Sequence, residues 1–195
     1  MQKRLTMQEL HKYLNHITPI SEQTWTLLKE LFVEKELKKF EYFSKVDKVA
    51  TKIAFLQKGI VRSFYTNNEG QEFNKNFFVA PAFIGAYTSL ITNGPNKLAQ
   101  QALTNCIICE TDYSKIKQLY DTCPDLERLG RIRAEHYFVE KEIRELNLVM
   151  LEAKEYYKIF QQQYPTLEQQ IPQYHIASFL GITPTQLSRI RAKKS

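Results

Sequence analysis

The sequence predicts an α+β protein: helices at the N-terminus, an antiparallel β-roll, one long helix, and a C-terminal helix-turn-helix without a full wing. Three observations carry this expectation. Short strand-like segments recur between turn residues from Glu36 to Cys109, an apolar stripe at coiled-coil spacing runs from Leu129 to Met150, and Gly181 and Thr183-Pro184 stop one short helix and start the next. With 195 residues, 43% hydrophobic and 25% charged, the chain has material for one medium domain or two small ones, and nothing in its composition marks it as disordered.

Leu5, Leu10, Tyr13, Leu14 and Ile17, then Leu27, Leu28, Leu31 and Phe32, recur at helical intervals on either side of Pro19 and Ser21, so two short helices are expected before residue 35. From Glu36 the character changes. Leu37, Phe40 and Phe43, then residues 52–57 and 60–65, are rich in aromatic and β-branched side chains, which suit strands. Lys58-Gly59 and Asn67-Asn68-Glu69-Gly70 supply turn residues and predict two successive hairpins. Further strands are expected at 77–79, 83–84 and 102–109, separated by Pro81, Gly85 and Asn93-Gly94-Pro95. The expected divisions are 1–123 for the roll and its flanking helices, 124–152 for the long helix and 153–195 for the helix-turn-helix.

The long helix should run from Asp125 towards Ala153, a stretch without proline. Leu129, Ile132, His136, Val139, Ile143, Leu146 and Met150 follow one another at alternating intervals of 3 and 4, an a/d stripe sustained for three heptads. A seam this regular fits another helix better than a sheet, so these residues are the expected interface of a parallel homodimer. The alternative is packing on the chain's own roll, with Tyr137 and Phe138 contributing from another face. His136, a polar residue at one a position, is expected to fix register. Residues 155–163 should form a further helix with Tyr156, Ile159 and Phe160 on one side, ending before Tyr164-Pro165.

In the last two dozen residues Ile176 and Leu180 lie one turn apart beside the small Ala177, and Gly181 can take the positive φ that ends a helix. Thr183, Pro184 and Gln186 then combine an N-cap, a first-turn proline and a capping-box partner. Leu187 and Ile190 should turn inward against Ile176, Leu180 and Ile182. No acidic residue follows Glu168, and Arg189, Arg191, Lys193 and Lys194 place +4 of the chain's +6 formal charge in this tail. A cationic helix capped at this spacing suits bases and phosphates of duplex DNA. The expected DNA-binding residues are Thr183, Thr185, Gln186, Ser188, Arg189, Arg191, Lys193 and Lys194, with Arg189 the principal contact and Gln186 partly used as a cap. A helical hairpin that finishes a core, or one that binds protein, is the alternative.

Other classes are disfavoured. The N-terminus lacks the apolar run of a signal peptide, and no stretch is long enough to cross a bilayer. Three cysteines without an export signal argue against a disulfide framework and for a cytoplasmic chain. Cys106 and Cys109 have the spacing of half a metal site, but no histidine lies near them and the segment has the pattern of a packed strand. His11, His16, His136 and His175 all lie outside the expected strands, which argues against a metal-binding β-barrel enzyme. No metal, cofactor or enzymatic activity is expected.

The order of elements resembles the Crp/Fnr family of bacterial transcription regulators across essentially the whole chain. Phe55-Leu56-Gln57-Lys58-Gly59-Ile60-Val61-Arg62 is similar to the family's hairpin segment, Phe83-Ile84-Gly85 to the entry of its phosphate cassette, and Ile176 to Ile190 to its DNA-binding helices. The resemblance implies a cyclic-nucleotide-binding-like jelly roll and a homodimer that presents the helix 184–192 to successive major grooves of an inverted-repeat operator. It also implies an effector pocket at Gly85, Ala86, Asn96 and Lys97. Cyclic-nucleotide-binding members carry a Gly-Glu pair and, about a dozen residues on, an Arg-Ser or Arg-Thr pair that grips the cyclic phosphate. Here Gly85 is followed by Ala86, and residues 94–99 hold only Lys97 as a cation, so no response to cyclic AMP is expected. The cysteine cluster of the oxygen-sensing branch is also missing, since no cysteine precedes Cys106. Phe73, Phe77, Phe78, Phe83 and Tyr87 either line an apolar effector pocket or are plain core. The chain's end at Ser195 leads us to expect a terminal reading helix, as in shorter members. Expected partners are double-stranded DNA and a second copy of the chain, with RNA polymerase and an unidentified small-molecule effector as candidates and no membrane. The rival reading is a roll that binds a ligand or a protein and does not bind DNA.

Overall fold

The structure, a computed structural model, describes residues 2–192, with side chains from Met7 onward. The contacts expected of Leu5, Lys193 and Lys194 lie outside the described residues.

Two helices lead, α1 (Gln2–Ile17) and α2 (Glu22–Lys29). Ser21 caps α2, its hydroxyl oxygen accepting the Thr24 N–H at 3.2 Å. Eight strands follow: β1 (Val33–Leu37), β2 (Tyr42–Ser44), β3 (Lys52–Lys58), β4 (Ile60–Thr66), β5 (Glu72–Val79), β6 (Ala82–Gly85), β7 (Ala99–Ala102) and β8 (Cys106–Asp112). They form two four-stranded sheets in the orders β1-β8-β3-β6 and β2-β7-β4-β5, which is a jelly roll. The helix α3 (Tyr87–Thr92) interrupts the strands, and α4 (Tyr113–Tyr120), α5 (Pro124–Met150), α6 (Ala153–Gln163), α7 (Gln173–Leu180) and α8 (Pro184–Ala192) complete the order.

The period of two along β3 sorts its side chains between two cores. Ala54 and Leu56 pack inside the roll with Leu37, Val61, Ile84, Ala102 and Ile108, while Phe55 packs with Leu10, Leu14, Trp25, Leu28 and Phe32 of the leading helical segment. The same period separates the two cysteines of the C-x-x-C. Cys106 belongs to the roll core and Cys109 to the helical core, so the two thiols do not face one site.

Several expectations are corrected. The first strand begins at Val33 rather than after Glu36, and Phe40 lies outside the strands with φ of 71° and 59% exposure. Lys58-Gly59 does not turn a hairpin: β3 and β4 belong to different sheets, and Gly59 at φ 102° is the corner where the chain crosses between them. The second expected hairpin is present. Its turn is closed by the Asn67 N–H on the Gln71 carbonyl at 3.0 Å, with Gly70 at φ 79°. The long helix stops at Met150, because Glu152 opens α6 with a capping box whose partner is Glu155.

The chain packs as two compact units. One comprises residues up to Ser63 with Phe77–His136, the other Phe64–Asn76 with Tyr137 onward. The boundary between these two units falls inside α5. Leu126 and Leu129 of α5 are buried in the first unit's helical core, and the tip of the β4–β5 hairpin folds with the C-terminal helices.

At Gly59 a β-carbon would lie 2.6 Å from the Cys106 sulfur and 2.8 Å from the Asn105 carbonyl oxygen, on a backbone that L-residues rarely adopt. Gly59→Ala should therefore lower unfolding stability by about 2 kcal/mol or more in urea denaturation, without a change in m-value.

Candidate nucleic-acid interface

The C-terminal helices rest on aromatic packing. Phe160 of α6 is fully buried between Tyr164 and Phe179, at ring-centroid distances of 5.3 and 5.6 Å, and Tyr156 lies 5.9 Å from Phe179. Ile176, Ala177, Leu180 and Leu187 close this core from α7 and α8. Gly181 ends α7 at φ 72°, where the Ile182 N–H reaches the Ala177 carbonyl at 3.0 Å and the Gly181 N–H reaches that of Ser178 at 3.3 Å. The start of α8 is a reciprocal cap. The Gln186 N–H donates to Thr183 Oγ1 at 3.2 Å, and the Thr183 N–H donates to Gln186 Oε1 at 2.9 Å.

With Leu187 1% exposed beneath it, α8 presents Thr185, Ser188 and Arg189 to solvent. Thr183 and Gln186 are exposed as well, but their polar atoms hold the cap, and Ile190 is half-buried. Arg191 is exposed and close enough to Tyr157 to act on its hydroxyl, which donates to the Glu168 carboxylate. Burial and Glu168 push the Tyr157 hydroxyl up to about 12, and Arg191 partly opposes that shift.

What sequence reading misses is the other side of α7. Asn74, on the edge strand β5 and 3% exposed, donates its backbone N–H to Ser178 Oγ at 2.9 Å, and Ser178 in turn donates to the Glu72 carbonyl at 2.9 Å. Its side-chain amide donates to the His175 carbonyl at 3.0 Å and lies 3.2 Å from His175 Nδ1. Arg144 of α5 adds bonds from Nη2 to the carbonyls of Asn74 and Phe179 at 3.4 and 3.2 Å, with its guanidinium 4.6 Å from the centre of the Phe179 ring. A polar residue within a strand pattern and one arginine in a charged helix carry no local signal of this junction. The partners of Asn74 lie about a hundred positions away.

The stripe on α5 divides. Leu129 is 7% exposed within the chain's own core, which removes it from the expected interface, and Ile132 is half-buried. His136 is exposed, as are Val139, Ile143, Leu146 and Met150 at 51%, 52%, 52% and 73%. Phe138 is exposed as well, at 63%.

The four expected effector positions lie in the first unit. Asn96 is bonded within its loop and across to the end of β2 and the segment after it: its amide donates to the Leu98 carbonyl and, at 3.4 Å each, to Ser44 Oγ and the Lys45 carbonyl, while its oxygen accepts the Leu98 N–H at 3.2 Å. The Gly85 carbonyl accepts from Gln100 at 3.1 Å, Ala86 is buried at the start of α3, and Lys97 is exposed. The buried arginine of the roll stands elsewhere. Arg62 of β4, 4% exposed, donates from Nε and Nη2 to Gln101 Oε1 of β7 at 3.1 and 2.7 Å.

Residues 34–123, the strands from β1 to β8 with α3 and α4, match the family of cyclic nucleotide-binding domains. No curated protein matches the chain. Among solved structures, FixK2 from Bradyrhizobium japonicum is similar with a TM-score of 0.72 and 19% identity, over 83% of this chain and 83% of its own. The catabolite activator protein of Thermus thermophilus has a TM-score of 0.58 at 16% identity, over 91% of this chain and 84% of its own. A candidate transcriptional regulator of the Crp/Fnr family from Eubacterium rectale has a TM-score of 0.69 at 11% identity, over 89% and 83%. The chain thus has the fold of these regulators, a cyclic nucleotide-binding type of jelly roll flanked by helices and followed by a long one. Among the described residues no helix is long and apolar enough to cross a membrane.

Asn74→Ala should remove the buried amide's bond to the His175 carbonyl and lower the stability of the second unit by about 2 kcal/mol. The loss should show as selective broadening and shift of the α7 amide resonances in NMR spectra, with those of the roll core unchanged.

Proposed function

We propose that this chain is a DNA-binding transcription regulator of the Crp/Fnr type, acting as a homodimer with α8 as its reading helix. The observation that carries the reading is the division of labour on α8. Thr183 and Gln186 close the cap, Leu187 anchors the helix from below, and Thr185, Ser188 and Arg189 are left for base edges and phosphates. Arg191, with Lys193 and Lys194 beyond it in the sequence, adds cationic charge that favours phosphates regardless of sequence.

The dimer reading is supported by the free part of the α5 stripe. Val139, Ile143, Leu146 and Met150 expose large apolar surface on one helix, and covering it against a second copy is worth roughly 1 kcal/mol per side chain. Two reading helices would then meet successive major grooves about 34 Å apart, so the operator is an inverted repeat. The roll serves as the effector domain by its likeness to cyclic nucleotide-binding domains, with cyclic AMP disfavoured because Ala86 and Lys97 stand where a carboxylate and an arginine fork are needed.

Selection of bound duplexes from a random DNA pool tests the class. A two-fold symmetric motif is expected, and failure to enrich any duplex at moderate salt would overturn it. Against the selected operator, Arg189→Ala should cost about 1–3 kcal/mol and relax preference at one base pair, whereas Lys193→Ala should weaken all sequences alike and flatten the salt dependence. Equal losses from both would refute the roles given to them. Leu146→Arg should convert the protein to monomers in sedimentation equilibrium with its circular dichroism unchanged, since a half-exposed side chain is replaced.

A further inference from the structure

Within the second unit, β5, the C-terminal half of α5, α6 and Phe179 of α7 surround a cavity of about 470 Å³. Its wall carries three cations, Lys75, Lys141 and Arg144, against one lining carboxylate, Glu140. Lys141 is paired with Glu145 at 3.2 Å. The Lys75 ammonium is half-buried, and burial, reinforced by the charges of Lys141 and Arg144, lowers its pKa against the weaker opposing pull of Glu145. Like charges gathered away from water disfavour one another unless an anion joins them.

Two polar atoms in the same wall lack partners among the described residues. Arg144 Nε is buried without an acceptor, although its Nη2 is bonded to two carbonyls and its plane is set over Phe179. The hydroxyl of Tyr156, a residue 3% exposed, is likewise buried with no partner. Leaving a buried donor or hydroxyl unbonded is unfavourable, and a folded chain retains such groups at places where a ligand or water meets them. The rest of the wall is apolar or amide, with Tyr137 and Ile159 beside Asn147 and Gln162.

We propose that this cavity binds a small organic anion, its carboxylate or phosphate-ester head held by Lys75, Arg144 and Tyr156 and its flat apolar body laid against Tyr137 and Ile159. Such a ligand would touch β5, α5, α6 and α7 together, the same elements that set the position of the α7–α8 pair. A consequence for DNA affinity rests on the reading proposed above; binding of the anion does not.

The test is therefore made without DNA, by titrating the full chain with phenyl phosphate, benzoate and inorganic phosphate while recording amide NMR spectra. Saturable shifts at Lys75, Asn147, Tyr156 and Gln162 are expected from one or both aromatic anions, with the tighter of the two identifying the head group. Inorganic phosphate should bind at least about tenfold more weakly, because it lacks the apolar body. Lys75→Gln should weaken the aromatic anion roughly tenfold while leaving the free spectrum that of the parent chain. Lys141→Gln, with a smaller loss, serves if the first variant does not fold. Absence of saturable shifts at the cavity, shifts centred on the α8 cations instead, or affinity unchanged by both variants would overturn the proposal.

Discussion

The second unit depends on one buried amide. Asn74 sits on an edge strand, where backbone N–H groups would otherwise face water, and α7 covers that edge by supplying the Ser178 hydroxyl and the His175 carbonyl as acceptors. Arg144 binds the Asn74 carbonyl from α5 and the last turn of α7 at Phe179. Strand, long helix and C-terminal helix pair are therefore tied at a single point by groups that are buried and directional. Apolar contact alone would let α7 slide on its aromatic floor; the hydrogen bonds fix where it stops.

That anchoring makes the exposed face of α8 usable. A helix of nine residues is marginal by itself, and this one is stabilised by a reciprocal cap and one fully buried leucine. Because Thr183 and Gln186 are occupied with the cap, the outward polar set is narrower than the sequence implies. Arg191 acts on Tyr157 as well as on solvent, which further separates it from Arg189. Charge count identifies the tail as cationic, and the two cap bonds separate the groups that hold the helix from those it presents.

Periodic and punctuating signals were legible in the sequence. The stripe of α5, the stop at Gly181, the cap at Thr183 and the strand-rich middle all follow from spacing and from the backbone preferences of glycine, proline and threonine. Signals that depend on pairing partners were not. Lys58-Gly59 reads as a hairpin turn because glycine takes a positive φ in a turn and in a corner alike, and nothing local tells which sheet receives the next strand. Leu129 fits the coiled-coil spacing, yet it is buried in its own chain's helical core. Asn96 in a loop suggests a ligand contact, but its amide bonds Leu98 of that loop and the distant Lys45 carbonyl. Arg62 reads as a polar strand residue, and its burial on Gln101 shows only when β4 and β7 are adjacent.

The exposed face of α8 is held in place only if the hairpin anchors the helix pair in solution. Native-state hydrogen exchange of the Asn74 backbone amide tests this most directly, since that N–H donates to the Ser178 hydroxyl of α7. Protection of the Asn74 amide to the same level as the amides of Ile176 to Leu180 is the result expected. An Asn74 amide that exchanges at the free-chain rate while α7 stays protected would contradict it, because the helix pair would then be folded but unanchored.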